Sequence, residues 1–88
     1  MPRQLGQAYR ELGEHRRAEA AFREALRLRP ADPRTRYELA LLEEARGRRE
    51  QAVQHLEAAL ATWAEADPEY KWARRAMETL AALRAAAR

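Results

Sequence analysis

Apolar residues recur at helical spacing along nearly the whole chain. Ala18, Ala21, Phe22, Ala25 and Leu26 form one stripe, and Ala52, Val53, Leu56, Ala59 and Leu60 form another. Each stripe is one face of an amphipathic helix. Between the stripes stand residues that start and stop helices. Asp32-Pro33 and Asp67-Pro68 each read as a start, with Asp as N-cap and Pro at the first helical position, where its missing N–H costs nothing. Gly13 and Gly47 read as C-terminal stops. Together these signals predict helices over residues 2–13, 16–29, 33–46, 49–65 and 68–87. None of the five can hide its apolar face alone, so neighbours must stack.

The pattern repeats. Displaced by 34 residues, Leu5 falls on Leu39, Gly6 on Ala40, Gly13 on Gly47, Ala18 on Ala52, Phe22 on Leu56, Ala25 on Ala59 and Leu26 on Leu60. Small residues meet small ones and large residues meet large ones. The Ala-Asp-Pro tripeptide recurs at 35 because one residue is inserted after Leu60, where RLRPADP becomes ATWAEADP. Pro30 then has no counterpart, which lets the fourth helix run on through Trp63. A fixed period of this length, in units that cannot bury their own apolar face, marks a repeat architecture.

Composition narrows the class. At 88 residues the chain is a single small domain with a modest core, and a large enclosed active site does not fit in it. Arg, Ala, Leu and Glu dominate while Ser, Asn, Ile and Cys are missing, so helix propensity is high throughout and the fold class is all-α. The lack of cysteine rules out disulfides and thiolate metal sites and fits a reducing compartment; the expected location is cytoplasmic. No stretch reads as a signal peptide or a membrane span. The formal charge of +3 is unevenly spread. Seven basic side chains face four acidic ones over residues 1–30, five face seven over 31–66, and five face three over 67–88. Basic ends around an acidic middle give no continuous stripe for a phosphate backbone.

A unit of this period carrying Leu5, Gly6, Tyr9, Ala18, Phe22, Ala25 and Pro30 resembles the tetratricopeptide repeat. The second unit keeps the sizes at Leu39, Ala40, Ala52, Leu56 and Ala59, with Glu43 in place of the tyrosine and Ala64 in place of the proline. The resemblance implies a right-handed α-solenoid of five antiparallel helices forming one domain over residues 1–88: repeat one over 1–32, repeat two over 33–67 and a capping helix over 68–88. Projected backwards, the first repeat begins before Met1, and the family's usual tryptophan site falls on Pro2. Two repeats and one helix are fewer than such arrays need for independent stability, which points to lost neighbours or to self-association through an exposed end.

The family's usual role is protein–protein interaction, with the first helix of each unit lining a concave groove. Carried over residue by residue, the groove positions are Arg3, Gln7 and Arg10 on the first helix and Arg34, Tyr37, Glu38, Leu41 and Glu44 on the third. Tyr37 and Leu41 lie one turn apart and form an apolar spot among charges, suited either to anchoring a peptide or to packing against the last helix. A mixed groove of this kind is expected to take a partner segment with an apolar anchor flanked by both charges. A clamp for a terminal carboxylate is disfavoured, because Glu38 stands where that arrangement wants an asparagine. On the fifth helix Tyr70, Ala73, Met77, Leu80 and Leu83 are expected to cover the end of the stack, seated by Trp63. Trp72 falls either in the groove or at the family's tryptophan site.

Other chemistry finds little support. Arg16, Arg17, Arg23, Arg27 and Arg29 read with Glu19 and Glu24 as a solvated helix face carrying ion pairs three and four residues apart. Nucleic-acid binding through these arginines lacks interleaved aromatic residues for stacking. His15 and His55 occupy non-equivalent places, there is no HExxH or Cys/His spacing, and no serine is present as a nucleophile. The expectation is a protein-binding module without enzyme activity, cofactor or metal. The alternative is a structural module that assembles with copies of itself or belongs to a larger array.

Overall fold

Among the described residues, 1–64 and 70–86 of a computed structural model, the chain forms five helices and no strand. They are α1 (Pro2–Glu11), α2 (His15–Leu28), α3 (Pro33–Ala45), α4 (Arg49–Trp63) and α5 (Lys71–Ala86). The predicted boundaries hold to within two residues at both ends of the first four helices. The expected Asp67-Pro68 start of the fifth lies outside the described residues, as does the boundary between repeat two and the capping helix.

Local chemistry closes the helices as the sequence indicates. Asp32 caps α3, its carboxylate accepting from the Arg34 N–H at 3.2 Å and the Thr35 hydroxyl at 2.8 Å, with Pro33 at the first turn. Gly13 and Gly47 take the left-handed conformation, at φ 77° and 75°. After each glycine a backbone N–H turns back to a carbonyl in the last helical turn: Glu14 to Tyr9 at 2.9 Å and Arg48 to Glu43 at 2.8 Å. These are Schellman closures, and they leave each helix free to reverse onto the one before it. The two closures are 34 residues apart at every atom they use.

α1 pairs with α2 and α3 with α4, while α3 also packs on α2 and α5 on α4. Two clusters make up the core. Ala18, Phe22, Leu39 and Leu42, with Tyr9 and Leu26 against them, join the first unit to α3. Tyr37, Ala40, Leu56, Trp63, Ala76, Leu80 and their neighbours join α3, α4 and α5. On α5 the buried face is Ala73, Ala76, Leu80 and Leu83, so Ala73, Leu80 and Leu83 cover the stack as expected. Tyr70 and Met77 do not; they are 43% and 48% exposed. The helix is turned so that Ala76 rather than Met77 enters the core, which lets α5 lie close to α4. Trp63 does seat this region, with its ring 5.8 Å from that of Tyr70 and 6.4 Å from that of Tyr37.

The close approach of Gly6 to Phe22 explains a difference between the two units. A Cβ on Gly6 would stand 2.5 Å from Cε1 of Phe22 and 2.6 Å from Cδ1, too close for any rotamer to relieve without moving the ring. In the second unit Ala40 and Leu56 replace this pair, the smaller aliphatic side chain making room for the methyl group. Gly6→Ala is therefore expected to destabilise the fold by about 1–3 kcal/mol through overpacking, despite the roughly 1 kcal/mol that alanine gains over glycine in a helix. Combining it with Phe22→Leu should recover most of that loss. Urea unfolding of the two single variants and the double variant measures the coupling, and additive effects would show that ring and methyl do not compete for the same space.

Candidate functional site

The first helices of the two units meet through charge. Glu38 sits on α3 with only 2% of its surface exposed and accepts from three side chains. Gln7 Nε2 donates to Oε1 at 2.9 Å, Arg34 Nε to the same oxygen at 3.2 Å, and Arg10 to Oε2 at 3.1 Å. Gln7 and Arg10 come from α1, whereas Arg34 lies one turn before Glu38 on α3. A buried carboxylate is costly unless its oxygens are filled by charged donors, and here both are. The cluster ties α1 to α3 where their apolar contacts end.

Arg34 reaches further. Its guanidinium carbon lies 3.4 Å from the centroid of the Trp72 ring, a stacked cation–π contact worth about 0.5–2 kcal/mol. Arg75 and Lys71, on the same helix as Trp72, stand 4.8 Å and 4.9 Å from that ring. Trp72 is half-buried, and Tyr37 lies 6.0 Å from it, tilted by 55°. Cation, indole and phenol thus follow one another from surface to core. A single surface results, running from Arg10 and Gln7 through Glu38 and Arg34 to Trp72, Lys71 and Arg75.

The eight groove positions named from the sequence therefore separate. Gln7, Arg10, Arg34 and Glu38 converge on one cluster. Tyr37 is buried and Leu41 half-buried, both in the core against α4 and α5; of the two roles open to this pair, packing on the last helix is the one they occupy here. Arg3 is half-buried beside Leu28 and Asp32, in a small cavity of about 110 Å³. Glu44 is exposed at the other end of α3, near Gly47 and Leu83. Lys71 and Arg75 were not among the positions named. Their proximity to Arg34 depends on how α5 docks, and the one sequence signal was Trp72 itself.

A second ion-pair chain runs over the α2–α3 junction. Arg46 pairs with Glu19 at 3.3 Å and with Glu43 at 3.5 Å; Glu19 also pairs with Arg23 at 3.0 Å, and Glu43 with Arg48 at 3.6 Å. Glu43, in place of the tyrosine of the first unit, is buried and held by arginines from the turn that follows it. The hydrogen bond from Arg23 keeps the Glu19 carboxyl below its ordinary value, aided by Arg46 and opposed by partial burial. Burial, with Arg36 nearby, lowers the pKa of His55 against the pull of Glu43. On the outer face of α2, Arg17–Glu14 and Arg27–Glu24 pair as expected for a solvated helix. Among the described residues no group of three or more His, Asp or Glu side chains is placed to hold a metal ion.

Helix pairs of this period, closed at equivalent glycines and stacked through alternating small and large residues, define an all-α helical-repeat protein. The tetratricopeptide repeat family model matches residues 3–71, and the chain belongs to that family. No curated protein and no solved structure shows significant similarity to it. Tetratricopeptide repeats are generally protein-interaction modules and typically non-enzymatic scaffolds. Among the described residues no helix is long and apolar enough to cross a membrane.

Two measurements check the electrostatics. Glu38→Gln leaves Arg10 and Arg34 without their shared counter-charge and should cost about 1–3 kcal/mol, tempered because both arginines retain some solvent. The exposed Glu44→Gln should stay within about 0.5 kcal/mol of the native chain, and equal losses would remove the special standing of Glu38. In a pH series the folded chain resists protonating His55, so stability should fall as pH drops from the ordinary value of 6.5 toward the lower folded one. His55→Gln should flatten that step. The Glu19 contribution should fade separately, as pH falls below 4.5.

Proposed function

We propose that the chain is a protein-binding module whose concave face, formed by the first helix of each unit and by α5, holds an acidic segment of a partner protein. Of the positions expected there, Gln7, Arg10, Arg34 and Glu38 form the face, joined by Lys71, Trp72 and Arg75, while Tyr37 and Leu41 lie beneath it and Arg3 and Glu44 at its ends. The observation that carries this reading is the excess of positive charge around Trp72 among the described residues. Arg10 and Arg34 share the single buried carboxylate of Glu38, and Lys71 and Arg75 add two more positive charges beside the same ring. Charge of one sign on a shaped surface selects the opposite sign in a partner and speeds its approach.

The covered state of Tyr37 and Leu41 bears on the ligand. With both packed under α5, an apolar anchor from the partner has less to enter than a groove open at these positions would offer. The aromatic surface left near the charges is the rim of Trp72. A base of single-stranded nucleic acid needs a free ring face to stack on. Arg34 already lies on one face of Trp72, with Tyr37 close by, which favours a peptide over an oligonucleotide.

The test is selection from a random peptide display library on the native chain and on the double variant Lys71→Glu/Arg75→Glu. Both side chains are exposed, so helix content should survive the change. The native chain should enrich sequences rich in Asp and Glu, and the variant should lose them. Enrichment of apolar motifs that the variant retains would move the binding site away from Trp72, and no enrichment by either chain would count against a peptide groove.

A further inference from the structure

The outer side of α1 carries a second surface. Met1, Leu5, Ala8 and Leu12 follow one another at spacings of four, three and four residues, which places them in one narrow strip of the helix. All four are exposed, Leu5 by 50% and Leu12 by 74%. None of its four side chains is charged. The repeat supplies its measure, because the residues 34 positions on from Leu5 and Ala8 are Leu39 and Leu42, both buried in the cluster with Ala18 and Phe22. The fold thus covers these positions wherever a neighbouring helix is at hand. Beside the strip runs a shallow groove of about 550 Å³ bordered by Leu5, Tyr9, Ala20 and Ala21.

We propose that this strip pairs with the same strip of a second copy, α1 lying antiparallel to α1 about a twofold axis. An isologous contact must be complementary to itself, and the strip is. Reversed on itself, it sets Leu5 against Ala8 of the second copy twice at the centre, large against small. Met1 and Leu12 then meet at both ends. The polar flank agrees, since Gln4 comes beside Glu11 of the second copy and can donate to its carboxylate. The same reversal brings Glu11 toward the opposing helix N-terminus, where negative charge is favoured. A parallel pairing would instead set Leu5 on Leu5 and Ala8 on Ala8, large against large and small against small. Arg3, Gln7 and Arg10 lie on the opposite side of α1, so the pairing leaves both concave faces open and stands independently of what they bind.

The test combines mass with register. Sedimentation equilibrium over a concentration series should show the native chain rising from one copy toward two, while Leu5→Glu remains a single copy with native helix content. The chain has no cysteine, so thiols can be placed without interference. Leu5→Cys mixed in equal amounts with Ala8→Cys should give, on mild oxidation, several-fold more mixed disulfide than either like-with-like product. A native chain that stays a single copy throughout would overturn the proposal and leave the strip to some other helix. A dimer indifferent to Leu5→Glu would place the contact elsewhere, and a preference for like-with-like disulfides would rule out the antiparallel register.

Discussion

The structure depends on covering α3 from two sides. Leu39 and Leu42 face Phe22 and Ala18 on one side, while Tyr37 and Ala40 face Leu56, Trp63 and the last helix on the other. Seven of its thirteen residues are buried, which no single helix pair could achieve. In a stack of short helices each layer is stabilised by the next, and the middle layer gains most. The helices on either side each have one free face, which is why the exposed apolar residues gather on α1, α2 and α5 rather than on α3.

Covering α3 so completely also buries its charges. Glu38 and Glu43 lie on the buried side of the helix, and each is answered by arginines: Arg10 and Arg34 for the first, Arg46 and Arg48 for the second. The arginines are suited to this because a guanidinium spreads its charge over several donors and is less strongly hydrated than an ammonium. Their long side chains lie across neighbouring helices and lock orientation where apolar contact alone would permit sliding. At Glu38 both arginines keep part of their side chain in solvent, so the cluster is held by the fold and still reaches the surface.

The two surfaces of α1 follow from the same geometry. A helix of ten residues has room for three directions: Gly6 toward Phe22, the polar residues Gln7 and Arg10 toward Glu38, and an apolar strip away from both. The apolar strip and the polar residues that reach Glu38 thus lie on opposite sides of one helix, and neither covers the other.

Much of the architecture was legible because it rests on local chemistry. Helix closures at Gly13 and Gly47 need a left-handed residue, the Asp32 cap needs only its own turn, and the alternation of small and large residues reports packing between neighbours in the chain. The sequence by itself therefore determined the five helices, their repeat and the all-α stacked fold. What it could not settle is where residues far apart in the chain come to rest. Glu38 was expected in a groove, and its burial could not be read from the sequence because it depends on Gln7 and Arg10 arriving from α1. Met77 was expected in the core and Ala76 took its place, since a rotation of α5 about its own axis leaves the helical pattern unchanged. Trp72, expected either in a groove or at the family's tryptophan site, comes to rest half-buried beneath Arg34 only through the docking of α5. Pattern specifies which face of a helix is apolar, but only tertiary packing fixes the angle at which that face meets its neighbour, and the meeting of Arg34 with Trp72 depends on that angle.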